Sequence, residues 1–135
     1  MENSPYKLKI IVLWLMLLIG MILHFNYHVS GIFYGIDVKR PNANGTIPAM
    51  AQLLKTVFYL FPMIFIVALL YFKQKWFRLS IFIISLPYTI SHVMHVWGEF
   101  KKPEIDLAQV PLLSLVLIFS LLLNKASWDY FKYEK

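Results

Sequence analysis

The residues best suited to chemistry are four histidines, which lie inside long apolar stretches of the chain. They form two pairs, His24 with His28 and His92 with His95, separated by four and three positions. Residues at such a spacing lie on one face of a helix. Neutral imidazole nitrogens are common ligands of zinc, copper and iron. The spacing therefore predicts two helices that each present a pair of metal ligands.

A carboxylate extends the second pair. Glu99 follows His95 by four positions and falls on the same helix face. The predicted metal site comprises His24, His28, His92, His95 and Glu99, with Asp37 or Asp106 from neighbouring loops as further oxygen ligands. Alternatively, His24 and His92 provide one imidazole each to a haem b. The sequence thus predicts a transition metal (zinc, copper or iron) or haem b, and it leaves that choice open.

The elements that must position these residues are four stretches almost free of charge, spanning approximately residues 10–32, 52–72, 78–98 and 107–124. A hydrocarbon core about 30 Å thick is crossed by roughly 20 helical residues. Backbone groups in lipid must bond within their own segment, which favours helices for spans of this length. The fold class expected is all-α: a small integral membrane bundle of four transmembrane helices, forming a single domain over residues 1–135.

The two histidine pairs are predicted to lie at the same height. His24 is 15 residues beyond Lys9 and His92 is 14 beyond Arg78, which places each roughly 21–23 Å along its helix. The third span carries a polar stripe running from Ser85 to Glu99. Polar groups are costly in lipid, so this stripe and the one around His24 are expected to face each other.

Two further features of the sequence concern how the helices pack. Gly20 lies one turn before His24 and is expected to let a neighbouring helix approach closely. The second and fourth spans carry few polar residues, and we expect them to contact lipid or a partner protein.

The basic residues predict the orientation in the membrane. Eight lie on the side of the termini and five on the opposite side. Because positive residues are enriched on the cytoplasmic side, both termini are predicted to be cytoplasmic. The expected location is the cytoplasmic (inner) membrane of a bacterium.

Composition excludes several classes of protein. The chain is 59% hydrophobic and only 15% charged, which leaves no room for a soluble catalytic domain. The absence of cysteine excludes disulfides, thiolate ligands and c-type haem attachment. The formal net charge is +6, but the basic residues are scattered between apolar runs, so no nucleic-acid partner is expected. The expected partners are the lipid bilayer and either other membrane subunits or a second copy of the chain.

Three functions fit these patterns. The leading prediction is a metal or haem site near the extracytoplasmic face that serves redox or metal-dependent chemistry on a lipophilic substrate. The first alternative is a non-catalytic accessory or assembly subunit of a larger membrane complex, in which the histidines only join helices through hydrogen bonds. The second alternative is a proton or ion transporter that uses the stripe from His92 to Glu99 as a relay. The sequence does not decide whether the protein is an enzyme.

Overall fold

The computed structural model describes residues 4–40, 43–102 and 106–133, and all regular structure in these ranges is helical. The elements are α1 (Pro5–Ser30), a 3₁₀ turn (Gly31–Tyr34), α2 (Ala49–Lys55), a π-helical turn (Thr56–Leu60), α3 (Phe61–Tyr71), α4 (Lys75–Phe100) and α5 (Gln109–Tyr133). The second span consists of α2, the π turn and α3 without interruption. Four helices are therefore long and apolar enough to cross a membrane, as predicted.

The helices extend beyond the apolar stretches from which they were predicted. The last span was expected to end near residue 124, whereas α5 continues to Tyr133. In this extension Lys125 and Asp129 form an exposed ion pair one turn apart, with 2.9 Å between nitrogen and oxygen. On the opposite face Tyr130 is buried in the core. Hydropathy locates the apolar segment, but a helix ends only where its packing and hydrogen bonding end.

The fourth span holds the bundle together. α5 makes the most extensive helix–helix contacts of the structure, with α4 and with α1. α5 also leaves Leu115, Ile118 and Leu121 exposed, so the expectation that this span contacts lipid or a partner stays a prediction. Its polar residues include Ser120, which is buried and donates a hydrogen bond to the Leu117 carbonyl of its own helix. A hydroxyl satisfied in this way can be buried at little cost.

The approach of α5 to α1 is closest at Gly20. A Cβ atom at this position would lie 2.3 Å from Cγ2 of Val116. Only a residue without a side chain allows this distance. The close helix approach predicted at Gly20 is found, but the neighbour is α5 rather than the helix that carries the second histidine pair.

Large aromatic side chains connect α1 to α3 and α4. Trp14 is fully buried, and its ring centre lies 5.5 Å from that of Phe65 and 4.9 Å, edge to face, from that of Tyr88. Aromatic pairs in this geometry are favourable beyond the area that they bury. α1 and α4 therefore contact each other through long side chains such as Trp14 and Tyr88, whereas the backbones of both helices lie closer to α5.

The second span contains an irregular turn that is hydrogen-bonded to α4. At the end of the π turn the Phe61 N–H bonds to the Thr56 carbonyl, one residue further back than in an α-helix. Pro62 follows and has no N–H to donate. The Val57 carbonyl is thereby left without a helical partner, and the Tyr88 hydroxyl donates a hydrogen bond to it. Pro62 thus coincides with a polar contact between two spans.

Candidate functional site

Three of the four histidines meet at one end of the bundle, where α1 and α4 finish and α2 and α5 begin. We call this the upper end. The ring centre of His24 lies 4.5 Å from that of His28 and 5.0 Å from that of His95, and both pairs are oriented edge to face. The contact between His24 and His95 joins α1 to α4, as the two predicted stripes require. His24, His28 and His95 are called the upper histidine cluster below.

Gln109 at the start of α5 holds His24 in place. Its side-chain oxygen lies 2.6 Å from His24 Nδ1, and its amide nitrogen donates to the His24 carbonyl at 3.3 Å. A carbonyl can only accept, so the amide nitrogen must face it and the amide oxygen must face the ring. His24 Nδ1 is therefore the protonated nitrogen. Its Nε2 keeps the lone pair that a metal ion requires.

His92 lies one turn below His95 on α4. Its side chain is 1% exposed, and its ring packs against Phe58 with 6.0 Å between ring centres. Neither ring nitrogen has a hydrogen-bond partner among the described residues. An unpartnered buried polar group is unfavourable, so this histidine is either costly as it stands or is satisfied by a bound water or ion.

The carboxylates of the upper end are already engaged. Glu99 is buried and forms an ion pair with Lys102, whose ammonium lies 2.7 Å from its carboxylate. Asp106 accepts hydrogen bonds from the backbone N–H groups of Ala108 and Gln109 and so caps α5. Asp37 accepts from the N–H of Lys39 in the first loop. Glu99 is the only one of these three on a spanning helix.

Two ring separations in the upper histidine cluster are compatible with a shared metal ion. A tetrahedral ion bound about 2.0–2.1 Å from each nitrogen separates two imidazole ring centres by about 5 Å. The observed separations of 4.5 and 5.0 Å are close to that value. Within residues 4–40, 43–102 and 106–133, however, no group of three or more histidine, aspartate or glutamate side chains is arranged to hold a metal ion.

A groove opens beside the cluster between the second span and α4. It is an open groove of about 540 Å³ bounded by Met21 of α1, by Leu54 and Phe58 of the second span, and by residues from Ser91 on α4 to Lys102 just beyond its end. His95 belongs both to this lining and to the upper histidine cluster. We call this space the upper groove.

The sequence did not point to Gln109 or to the pairing of Lys102 with Glu99. Gln109 contacts a residue 85 positions away and stands at the edge of an apolar run, so no helical spacing connects it to the histidines. The one available signal was the position of an amide side chain at the start of an otherwise apolar span.

No protein-family model, curated protein or solved structure matches the chain.

Proposed function

We propose that the chain is an integral membrane protein that binds a transition-metal ion at the upper histidine cluster, in redox or metal-dependent chemistry at the membrane. The observation that carries this proposal is the meeting of His24, His28 and His95 from two helices. Neutral imidazoles of this kind suit zinc, copper or iron.

The hydrogen bonds of Gln109 add support. They fix the tautomer of His24 so that Nε2 is free to bind an ion, and they orient the ring from a third helix. Metal-binding histidines typically donate their other ring N–H to such a partner. The ligand set predicted from the sequence also included Glu99 and His92. In our proposal Glu99 lies next to the ion, held by Lys102, while His92 takes no part in binding it.

A haem b between His24 and His92 has less support. Such a haem needs a slot of porphyrin width between α1 and α4 at this level. The rings of His24 and His95 already lie 5.0 Å apart there, and the helices would have to separate to admit the macrocycle. A proton relay along α4 also has less support, because buried Ile81 and Phe77 follow below Ser85 and interrupt the polar stripe.

The membrane orientation belongs to the same proposal. The upper end faces outward, both termini are cytoplasmic, and the membrane is the inner membrane of a bacterium. The basic hairpin of Lys73, Lys75 and Arg78 supports this assignment by the positive-inside rule. Lys135, which adds to the same bias, lies outside the described residues.

A second candidate is the accessory or assembly subunit. It is favoured by the exposure of the second span, in which α2 buries no residue and α3 buries only Pro62 and Leu69. A face of this kind suits lipid, a larger partner or a second copy of the chain.

Metal content separates these candidates. We expect the full-length protein, purified in mild detergent, stripped with chelator and offered zinc, copper or iron, to retain close to one equivalent of one of these metals. His28→Ala and His95→Ala should each weaken binding by at least about tenfold, because each removes a ligand. Elemental analysis measures the bound metal, and an absorption spectrum reveals any haem.

His92→Ala is the matched control. It removes a histidine from the same helix, so binding of a metal ion should persist, whereas a haem held by His92 would be lost. Helicity by circular dichroism establishes that each variant is folded. A protein that binds none of the three metals would overturn the proposal and favour the accessory subunit. Loss of the metal in His92→Ala alone would also overturn it and would favour the haem.

A further inference from the structure

We infer that an open groove between α1 and α5 binds an anionic phospholipid, with the lipid phosphate at Lys9 and Lys125 and one acyl chain in the apolar part of the groove. The groove is bounded by α1 between Tyr6 and Leu13 and by α5 between Leu122 and Asp129. It lies at the lower end of the bundle, opposite the upper histidine cluster, and we call it the lower groove. The inference rests on the proposed membrane placement, but it requires no bound metal.

The shape of the lower groove suits the first part of an acyl chain. Its volume of about 530 Å³ lies within the range of small-molecule sites. The stretch of each helix that bounds it is about 10 Å long. Ala126 lines the groove and is only 7% exposed, so its small side chain forms the floor between the two helices. Val12 on the rim is 45% exposed, so a lipid can enter from the side without separating the helices.

The polarity of the lower groove matches the way a lipid lies in a bilayer. Lys9 is one turn closer to the lower end than Leu13 on α1, and Lys125 is about one turn closer to it than Leu122 on α5. A phospholipid keeps its phosphate at the membrane surface and its chains in the hydrocarbon. It can therefore occupy the lower groove in its usual orientation.

Both ammonium groups of the lower groove are accessible. The side chain of Lys125 is 73% exposed, although it donates a hydrogen bond to Asp129 at 2.9 Å. An ammonium has three N–H donors, so two remain for a ligand. Lys9 is exposed, and within residues 4–40, 43–102 and 106–133 no hydrogen bond or ion pair engages its side chain. The oxygens of a phosphate can accept hydrogen bonds from both lysines.

The balance of charge favours an anionic head group over a zwitterionic one. Two ammonium groups and one carboxylate line the lower groove, which leaves one positive charge uncompensated. The Asp129 side chain is only 22% exposed and is already bonded by Lys125. The ammonium of an ethanolamine or choline head group would lie near two like charges, which reduces its attraction. A head group that carries only the phosphate charge avoids this repulsion.

The surroundings of the lower groove attract the same class of lipid. The Lys7 ammonium donates a hydrogen bond to the Leu70 carbonyl, which brings the start of α1 next to the end of α3 and its basic hairpin. Among the described residues, the lower end carries one acidic residue, Asp129, and the basic residues Lys7, Lys9, Lys73, Lys75, Arg78, Lys125 and Lys132. Clusters of basic residues at a membrane surface attract anionic lipids. This attraction concentrates such lipids around the lower end, where the lower groove can retain one of them.

The test uses the full chain reconstituted in vesicles of equal parts phosphatidylglycerol, phosphatidylcholine and phosphatidylethanolamine, followed by gentle detergent extraction and quantification of retained lipid by native mass spectrometry. We expect phosphatidylglycerol to be enriched about two- to fivefold over its share of the vesicle, as exposed ionic contacts allow. Lys9→Gln and Lys125→Gln should each remove most of this enrichment. Lys73→Gln is the matched control, since it removes the same charge from the lower end outside the groove and should leave the enrichment unchanged.

Two further substitutions test the groove itself. Val12→Trp fills the lower groove and should abolish the enrichment, whereas Ile19→Trp places the same side chain about two turns higher on α1, outside the groove, and should preserve it. Asp129→Asn removes the one carboxylate of the groove and leaves both lysines, so the enrichment of phosphatidylglycerol should rise.

Retention of the three lipids in vesicle proportions by the unsubstituted chain would overturn the inference. An equal loss of enrichment in Lys9→Gln and Lys73→Gln would also overturn it, because the overall charge of the lower end would then account for the attraction. Metal content measured on the same samples separates the two proposals: bound metal without lipid selection overturns only this inference, and lipid selection without bound metal overturns only the metal site. A chain that does not incorporate into vesicles would overturn the membrane placement and this inference with it.

Discussion

Gln109 determines which nitrogen of His24 carries the proton. Its side chain is fully buried and uses both polar atoms on His24, the oxygen on the ring and the nitrogen on the carbonyl. Replacement by an apolar residue leaves a ring N–H and a backbone carbonyl without partners inside the bundle. Loss of such partners typically costs about 1–3 kcal/mol.

We therefore predict that Gln109→Leu lowers both stability and metal affinity. The free energy of unfolding should fall by about 1–3 kcal/mol, and metal affinity at the upper histidine cluster should fall about 10- to 100-fold, because His24 loses the partner that orients it. Unfolding in detergent followed by circular dichroism measures the first, and metal titration measures the second.

Ser120→Ala is the control for this variant. It also removes a buried polar group from α5, but the Ser120 hydroxyl bonds only within its own helix. Metal affinity should not change in Ser120→Ala. An unchanged affinity in Gln109→Leu would show that Gln109 does not orient a ligand.

At the scale of single residues, the sequence predicted shared helix faces better than it predicted contacts between helices. The spacing of the histidines placed each pair on one helix face, and rings from both helices do meet at His24 and His95. The spacing did not predict that the His92 ring would pack against Phe58, because that contact depends on how the helices pack. The role of Gln109 depends on how α5 docks, which no local spacing encodes.

Among the helices, the contact between Gly20 and Val116 sets the distance of α1 from α5. We predict that Gly20→Ala destabilises the protein by about 1–3 kcal/mol, since the new methyl group overlaps Val116 and forces the helices apart. Adding Val116→Ala removes the overlapping methyl, so the double variant should lose less than the sum of the two single losses. Unfolding measurements on the three variants provide the cycle.

Gly98→Ala is the matched control on a spanning helix. The added methyl meets open space, and alanine favours the helix over glycine by up to about 1 kcal/mol. This variant should be neutral or stabilised. If Gly20→Ala were equally neutral, the close approach of α1 to α5 would not contribute to stability.

Hydropathy predicted the number of spans but not their neighbours. The four apolar runs correspond to four helices, and the expected exposure of the second span is found. Hydropathy did not predict that α5 packs against both α1 and α4, because small polar residues such as Ser120 and Ser127, which are buried there, look unremarkable in sequence. The first and last helices also extend beyond their apolar runs, at the N-terminal end of α1 and the C-terminal end of α5.

For the whole molecule, the testable property is its orientation. The bias of eight basic residues against five predicts that the loop containing Asn44 is outside and the hairpin containing Gln74 is inside. The chain has no cysteine, so Asn44→Cys and Gln74→Cys can each be labelled without background. In intact cells, a membrane-impermeant maleimide should react with Asn44→Cys and should reach Gln74→Cys only after permeabilisation. The reverse pattern would invert the orientation and place the upper end in the cytoplasm.

The bond from Tyr88 to the Val57 carbonyl has a consequence for biosynthesis. Pro62 and the π turn leave this carbonyl without a donor in its own helix. In the membrane placement proposed above, the second span would therefore enter the bilayer with an unsatisfied polar backbone group. Its donor is synthesised 31 residues later. We therefore expect the second and third spans to leave the insertion machinery together as a hairpin. Tyr88 can then donate its hydrogen bond before the Val57 carbonyl is exposed to lipid.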